Sequence, residues 1–346
     1  MAGGSGERTM PARRRDGRRD MKLTTSFGHH AACFPFAQRS APTLRVPRPI
    51  APRTVCEHYL RRGSWLLMWP VLSILGAGVV RAQTPVCDAL DAKEKAAAAK
   101  AFEALHPYDE CDQTFARCLL EKPPKPLVLR LASDVCRLIH EGKTVPQIEH
   151  ALEKRERTLH SAGKPARPTL DPAMGAGEPG APVTVAVYAC ARCPFCKVVV
   201  PGLYREVTAG RLRGKARLFF CPFPIKDHPG SIEGGLAMLA AARMGGFWPY
   251  LLRLYENFDS FCPRLLAAWA EETGLSRADF EQAMGDASLR EKLVASKQEG
   301  LRHGVKATPA VFIDGREYVY ENRLAVMIDV VEEAAEAAGA AKDASP

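Results

Sequence analysis

The order of this sequence predicts an α/β fold with a helical insertion, preceded by a small all-α segment. Three observations carry that prediction. An apolar, β-branched run at 183–188 leads into Cys190-Ala-Arg-Cys193-Pro-Phe-Cys196 and then into a helix-compatible stretch from Lys197. Residues 231–303 show helical spacing, with Leu236, Leu239 and Ala240, then Leu251, Leu252 and Tyr255. Far downstream, Ala307-Thr308-Pro309 precedes a second apolar run at 310–313.

The chain has 346 residues, with 47% hydrophobic and 25% charged residues, an ordinary globular balance. Its net charge of +9 is local. Residues 1–82 hold 14 of the 48 Lys and Arg and only 4 of the 39 Asp and Glu, so the remainder is near neutral. That distribution removes the support for a nucleic-acid partner. Residues 1–60 are rich in Arg, Pro and Ser, lack an apolar period, and read as a disordered or misassigned extension. Arg61-Arg62, an apolar run over 65–80 and Val80-Arg81-Ala82 read as a signal peptide cleaved near Ala82. A membrane anchor is the alternative, but the run is short for a span. Export to a periplasmic or similar compartment is therefore expected.

Nine of the 11 cysteines lie beyond that leader, a density that implies an oxidising compartment. Residues 83–160 read as a helical cysteine-containing domain. Ala, Lys and Glu dominate 92–105, and Leu127, Leu131, Val135, Leu138 and Ile139 recur at helical spacing. Gly142 ends that helix, and Thr144-Val-Pro-Gln147 has the form of a capping box with Pro in the first turn. Cys87, Cys111, Cys118 and Cys136 are structural disulfide candidates with three possible connectivities. Residues 161–181 are dense in Pro, Gly and Ala and read as a linker.

Strands are expected at 183–188 and 216–220, then the helical insertion at about 228–303. Two short strands, 310–313 and 317–320, follow with Asp314-Gly315 as their hairpin turn. A last helix is expected from about 323 to 338. The order strand, helix, strand, helical block, hairpin, helix is that of a thioredoxin fold with a helical insertion, spanning 182–340.

The chemistry follows from that placement. Cys193 would lie at a helix start, where backbone N–H groups and the dipole favour a thiolate, with Arg192 and Lys197 adding positive charge. Cys196, one turn further in, would be the resolving thiol. Half a zinc site is the competing reading of Cys-x-x-Cys, but no second ligand pair follows at compatible spacing.

Residues 182–338 resemble the DsbA-like and DsbG-like branch of the thioredoxin superfamily. The resemblance rests on Cys193-Pro-Phe-Cys196, on Phe219-Phe220-Cys-Pro-Phe-Pro224, on Gly246-Phe247-Trp248 and on the stretch from Gly304 through Thr308-Pro309 to Gly315. It implies catalysis by Cys193 and Cys196 through a mixed disulfide. It also implies a cis bond before Pro309, substrate binding along Thr308, Pro309 and the surface around Phe195, and no cofactor. The partners it implies are cysteine-containing exported proteins and a redox-recycling protein that could be membrane-bound. The direction of exchange stays open.

Two departures stand out. Relatives often carry a buried carboxylate where this chain has Val187, and a polar residue where it has Cys190. Cys190 could be a small buried residue, a disulfide partner or a metal ligand with Cys193 and Cys196; thiolates would select Cu or Zn. Adjacent parallel strands would place Cys190 near Cys221 for an accessory disulfide, with Cys262 as the rival partner of Cys221. His228, in Asp227-His-Pro-Gly, reads as a turn histidine rather than a catalytic one. Finally, residues 138–155 look like the helical hairpin of CcmH-type cytochrome c maturation proteins, although the Cys-x-x-Cys of that family is missing here. If it holds, that resemblance implies presentation of a thiol-bearing partner.

Overall fold

The computed structural model describes residues 85–108, 111–160 and 162–343. The stretches read above as an N-terminal extension and a signal peptide lie outside the described residues.

Five helices form the first lobe: α1 (Pro85–Asp88), α2 (Ala92–Ala104), α3 (Phe115–Cys118), α4 (Pro126–His140) and α5 (Val145–His160). A capping box starts α2. Asp91 Oδ1 accepts from Glu94 N–H at 2.8 Å, and Glu94 Oε2 accepts from Asp91 N–H at 2.9 Å. Pro126 opens α4, where its missing donor costs nothing. Before α5, Gln147 Oε1 accepts from Thr144 N–H at 2.9 Å. The lobe core is apolar, with Phe115, Leu131, Val135 and Ile148 fully buried. Two disulfides fasten it: Cys87–Cys136 ties α1 to α4, and Cys111–Cys118 closes a short loop.

The second lobe holds a five-stranded sheet in the order β1-β3-β2-β4-β5. Its strands are β1 (Gly175–Ala176), β2 (Val183–Ala189), β3 (Ala216–Pro222), β4 (Ala310–Ile313) and β5 (Arg316–Glu317). β2 and β3 run parallel, joined by α6 (Cys196–Ala209). β4 pairs antiparallel with the other side of β2. Between β3 and β4 come α7 (Ser231–Arg243), α8 (Phe247–Glu256), α9 (Leu266–Glu272), α10 (Arg277–Gly285) and α11 (Ala287–Arg302), and the chain ends on α12 (Leu324–Asp343). Alternation along β2 splits the side chains between two cores. Val183, Val185 and Val187 enter the larger one, while Ala186 and Tyr188 join Phe223 and Phe312 in the smaller.

Three expectations need correction. The stretch read as a linker is built in: Gly175 and Ala176 pair antiparallel with Phe219 and Leu218, and Trp248 Nε1 donates to Gly175 O at 2.7 Å. Pro and Gly composition signals irregular backbone, yet two residues suffice to extend a sheet edge. β5 ends at Glu317 rather than near Tyr320. Its turn is the expected one, with positive φ at Asp314 (47°) and Gly315 (78°). Third, Cys190 does not face Cys221. The parallel register sets Tyr188 opposite Cys221, and β2 stops at Ala189, so Cys190 lies past the ladder. Cys190 belongs to the larger core and Cys221 to the smaller, and both are free thiols. Cys262 is disulfide-bonded, so it does not partner the free Cys221 either.

The lobes meet through buried charge. Arg155, fully buried on α5, pairs with Asp134 Oδ2 of α4 at 3.2 Å and with Glu333 of α12. Tyr108 Oη donates to Glu333 Oε2 at 2.8 Å, and Arg130 donates to Glu336 Oε1 at 3.0 Å. Asp134 and Glu333 are themselves buried; Asp134 is paired within its own lobe by Arg137 and Arg155, and Glu333 depends on Arg155 and Tyr108 across the seam.

Candidate active site

β2 delivers the chain to the sheet end, where a turn over 190–193 leads into α6. The helix starts at Cys196, with Phe195 as its N-cap, so Cys193 sits just ahead of the first turn. Cys193 O still accepts from Lys197 N–H at 3.2 Å, which continues the helical hydrogen-bond pattern back to the cysteine. From β4's leading end, Thr308 and Pro309 come against the same point. The Thr308–Pro309 peptide is cis, and the Cys193 thiol donates to Thr308 O at 3.1 Å.

The two thiols have opposite acidities. Cys193 is held down to about 5. The Cys196 thiol is the largest cause; burial works against it, and the Thr308 side chain and the N–H groups of Cys196 and Phe195 lower it further. Cys196 is pushed far up, first by burial and then by the neighbouring Cys193. Both residues are buried, at 1% and 0% exposure, so acidity rather than access distinguishes them.

The motif's cations do different work from that expected. The Arg192 guanidinium lies 4.4 Å from the ring centroids of both Phe258 and Phe261, and it donates to Phe258 O and to Pro229 O. Lys197 Nζ sits 4.3 Å over Phe258 and 3.3 Å from Asp259 Oδ1. Arg192 thus fastens the turn to the segment after α8, and the thiolate is stabilised by hydrogen bonds instead.

Around this centre, Phe195 and Val198 project outward at 63% and 58% exposure, with Ile232 exposed at the start of α7. Val187 is buried in the larger core, and the groups acting on Cys196 are Cys193, Cys190 and Thr308. Burial raises Cys190, and burial together with Glu299 pushes Cys221 up to about 12. His228 lies in the turn ahead of α7, where its carbonyl accepts from Ser231 N–H at 3.0 Å. Among the described residues no three His, Cys, Asp or Glu side chains are placed to hold a metal ion. That leaves the Cu or Zn reading of Cys190, Cys193 and Cys196 without support from the structure.

Sequence reasoning missed Tyr255. Its hydroxyl donates to Cys190 O at 3.2 Å, and burial raises it, with Cys196, Cys190 and Cys193 adding to the effect. On α8 it has the spacing of a core residue, and nothing in the sequence separates it from Leu251 or Leu254.

A family model described as thioredoxin matches residues 169–333. Among curated proteins, the chain is 29% identical over 176 residues to the Na(+)/H(+) antiporter NhaA 3 of Salinispora tropica. It is 26% identical over 145 residues to the Na(+)/H(+) antiporter NhaA 1 of Mycolicibacterium gilvum. The matches cover 49% and 41% of this chain but 26% and 23% of those proteins, so the chain spans about a quarter of the curated relatives it matches. Among the described residues no helix is long and apolar enough to cross a membrane. Solved structures similar to the chain include a thioredoxin-like oxidoreductase from Silicibacter pomeroyi DSS-3, at 20% identity and a TM-score of 0.42, covering 48% of this chain and 94% of that one. Another is BdbD from Bacillus subtilis, at 16% identity and a TM-score of 0.43, covering 50% and 100%.

Proposed function

We propose that this chain, whose residues 169–333 match a thioredoxin family model, is an exported thiol–disulfide oxidoreductase that oxidises pairs of cysteines in other exported proteins. The observation that carries the reading is the contrast in acidity between Cys193, at about 5, and the buried Cys196 behind it.

In the oxidised enzyme a substrate thiolate attacks the Cys193 sulfur. The Cys193–Cys196 bond breaks, Cys196 leaves with the electron pair and takes a proton. The substrate's second thiolate then attacks the substrate sulfur of the mixed disulfide. Cys193 departs as a thiolate, and a leaving thiol of low pKa departs fast. The same acidity stabilises the reduced enzyme and makes the disulfide a strong oxidant. Thr308 and Pro309 would align the substrate backbone beside Cys193, with Phe195 as an apolar contact. A redox partner must then reoxidise the dithiol. Export is supported by the two disulfides of the helical lobe, since such bonds persist in oxidising compartments.

The test is the equilibrium of the Cys193–Cys196 couple against glutathione. An oxidase should poise well above about −200 mV, toward about −120 mV, and a value near about −270 mV would reverse the direction. The variant Cys193→Ser should lose all oxidation of a dithiol peptide, and retained activity would refute the site itself.

A further inference from the structure

Cys193 has a thiol on each side at equal spacing, Cys196 after it and Cys190 before it. The second of these has no part in the reaction above. Residues 190–193 form a β-turn closed by Cys193 N–H donating to Cys190 O at 3.3 Å. Such a turn keeps its first and fourth Cα atoms within about 7 Å. A disulfide spans about 4.4–6.8 Å between Cα atoms, so the turn alone brings the pair into range. The Cys190 sulfur is folded over its own turn, because it accepts from Arg192 N–H at 3.4 Å. Two further contacts hold the turn in place: the Tyr255 hydroxyl on Cys190 O, and Arg192 between Phe258 and Phe261. Cys190 is a free thiol and, with Cys221 lying across the sheet in another core, has no competing partner there.

We propose that Cys190 is a second resolving thiol for Cys193, taking over its mixed disulfides by forming a Cys190–Cys193 bond. This rests on the thiol–disulfide reading of the site. In the step, the Cys190 sulfur attacks the Cys193 sulfur of the mixed disulfide. The Cys190–Cys193 bond forms and the bond to the substrate sulfur breaks. The electron pair leaves on that sulfur, which receives the proton Cys190 gives up. One disulfide is exchanged for another, so no oxidant is consumed. Cys196 can then attack Cys193, restoring the Cys193–Cys196 bond and returning Cys190 to a thiol. Cys193 thereby works between two resolving groups, and neither is indispensable for releasing a bound substrate.

The full chain, loaded at Cys193 with glutathione from its oxidised form, tests this. Trypsin cuts after Arg192, so a Cys190–Cys193 bond links two peptides, whereas a Cys193–Cys196 bond lies within one. In Cys196→Ser, glutathione should leave and the linked peptides should appear. In the Cys190→Ser, Cys196→Ser double variant the mixed disulfide should last at least about tenfold longer, as expected when no attacking thiol remains within reach. Equal lifetimes in the two variants and no linked peptides would overturn the proposal while leaving the function reading intact. Failure of Cys193 to take glutathione in any form would overturn both. Wild-type protein poised in glutathione buffer gives a check free of substitutions: a fraction of linked peptides is expected, and none at any poise refutes the idea.

Discussion

Removing the Cys196 thiol should raise the pKa of Cys193 by a calculable amount. Cys193 stands at about 5, and its largest support is the hydrogen bond from Cys196. At pH 7 that acidity gives a thiolate-to-thiol ratio of roughly 100, against roughly 0.03 for an ordinary cysteine near 8.5. A hydrogen bond to a charged group contributes about 1.5–3 kcal/mol. One tenfold change in ionisation corresponds to about 1.4 kcal/mol. Cys196→Ala should therefore move the Cys193 inflection up by about 1–2 pH units, leaving Thr308 and the N–H groups of Phe195 and residue 196 to hold it below the ordinary value. The assay is thiolate ultraviolet absorbance of the reduced protein against pH, checked by the rate of alkylation at Cys193. Cys190 and Cys221 are both raised and do not titrate in this window. Because the folded-state pKa is depressed, the thiolate's contribution to the stability of the reduced protein is complete above the unfolded thiol's range. It is lost as pH falls through about 5. An unchanged inflection in Cys196→Ala would refute the hydrogen-bond account, and a wild-type inflection near 9 would refute the acidic thiol altogether.

Two further outcomes are expected. Arg155→Ala removes a buried cation from Asp134 and Glu333, leaving Asp134 only Arg137 and Glu333 only Tyr108 and the more distant Arg130, and should cost about 3 kcal/mol in urea unfolding, whereas a surface arginine would cost almost nothing. Gly234→Ala puts a methyl where a Cβ would lie 2.5 Å from the Ala191 Cβ, so the 190–193 turn must shift; dithiol oxidation should fall and the Cys193 inflection should rise, and an unperturbed titration would show that the turn tolerates displacement.

What the sequence made legible was whatever has a local cause. β-branched residues 183–188 and the Asp314-Gly315 turn reveal themselves without reference to the rest of the chain. So does the spacing of Cys193 and Cys196, which carries the chemistry. What stayed hidden depends on partners distant in sequence. Arg155 sits among Glu153, Lys154 and Glu156 and reads as a solvated helix face until α12 brings Glu333 to it. Arg192 reads as a charge beside a thiolate until Phe258 and Phe261, more than 60 residues away, claim its face. The placement of Cys190 turned on where β2 stops and on which residue faces Cys221, and a strand's register against a parallel neighbour is not written in its own residues.

The seam around Arg155 also governs how the molecule can come apart. Its guanidinium is sealed from water, and carboxylates from two different helices converge on it. A small separation of the lobes would lengthen the Arg155–Glu333 pair and the Tyr108–Glu333 hydrogen bond before solvent could replace them, while Arg155–Asp134 stays within the helical lobe, so the free-energy climb is steepest at the very start. A gradual peeling, with a half-open species along the way, has no foothold there. Held this way, the helical lobe is poorly placed to swing as an arm toward Cys193. It works as a buttress on α12, and amide protons of α4 and α12 should exchange with solvent in a single shared event.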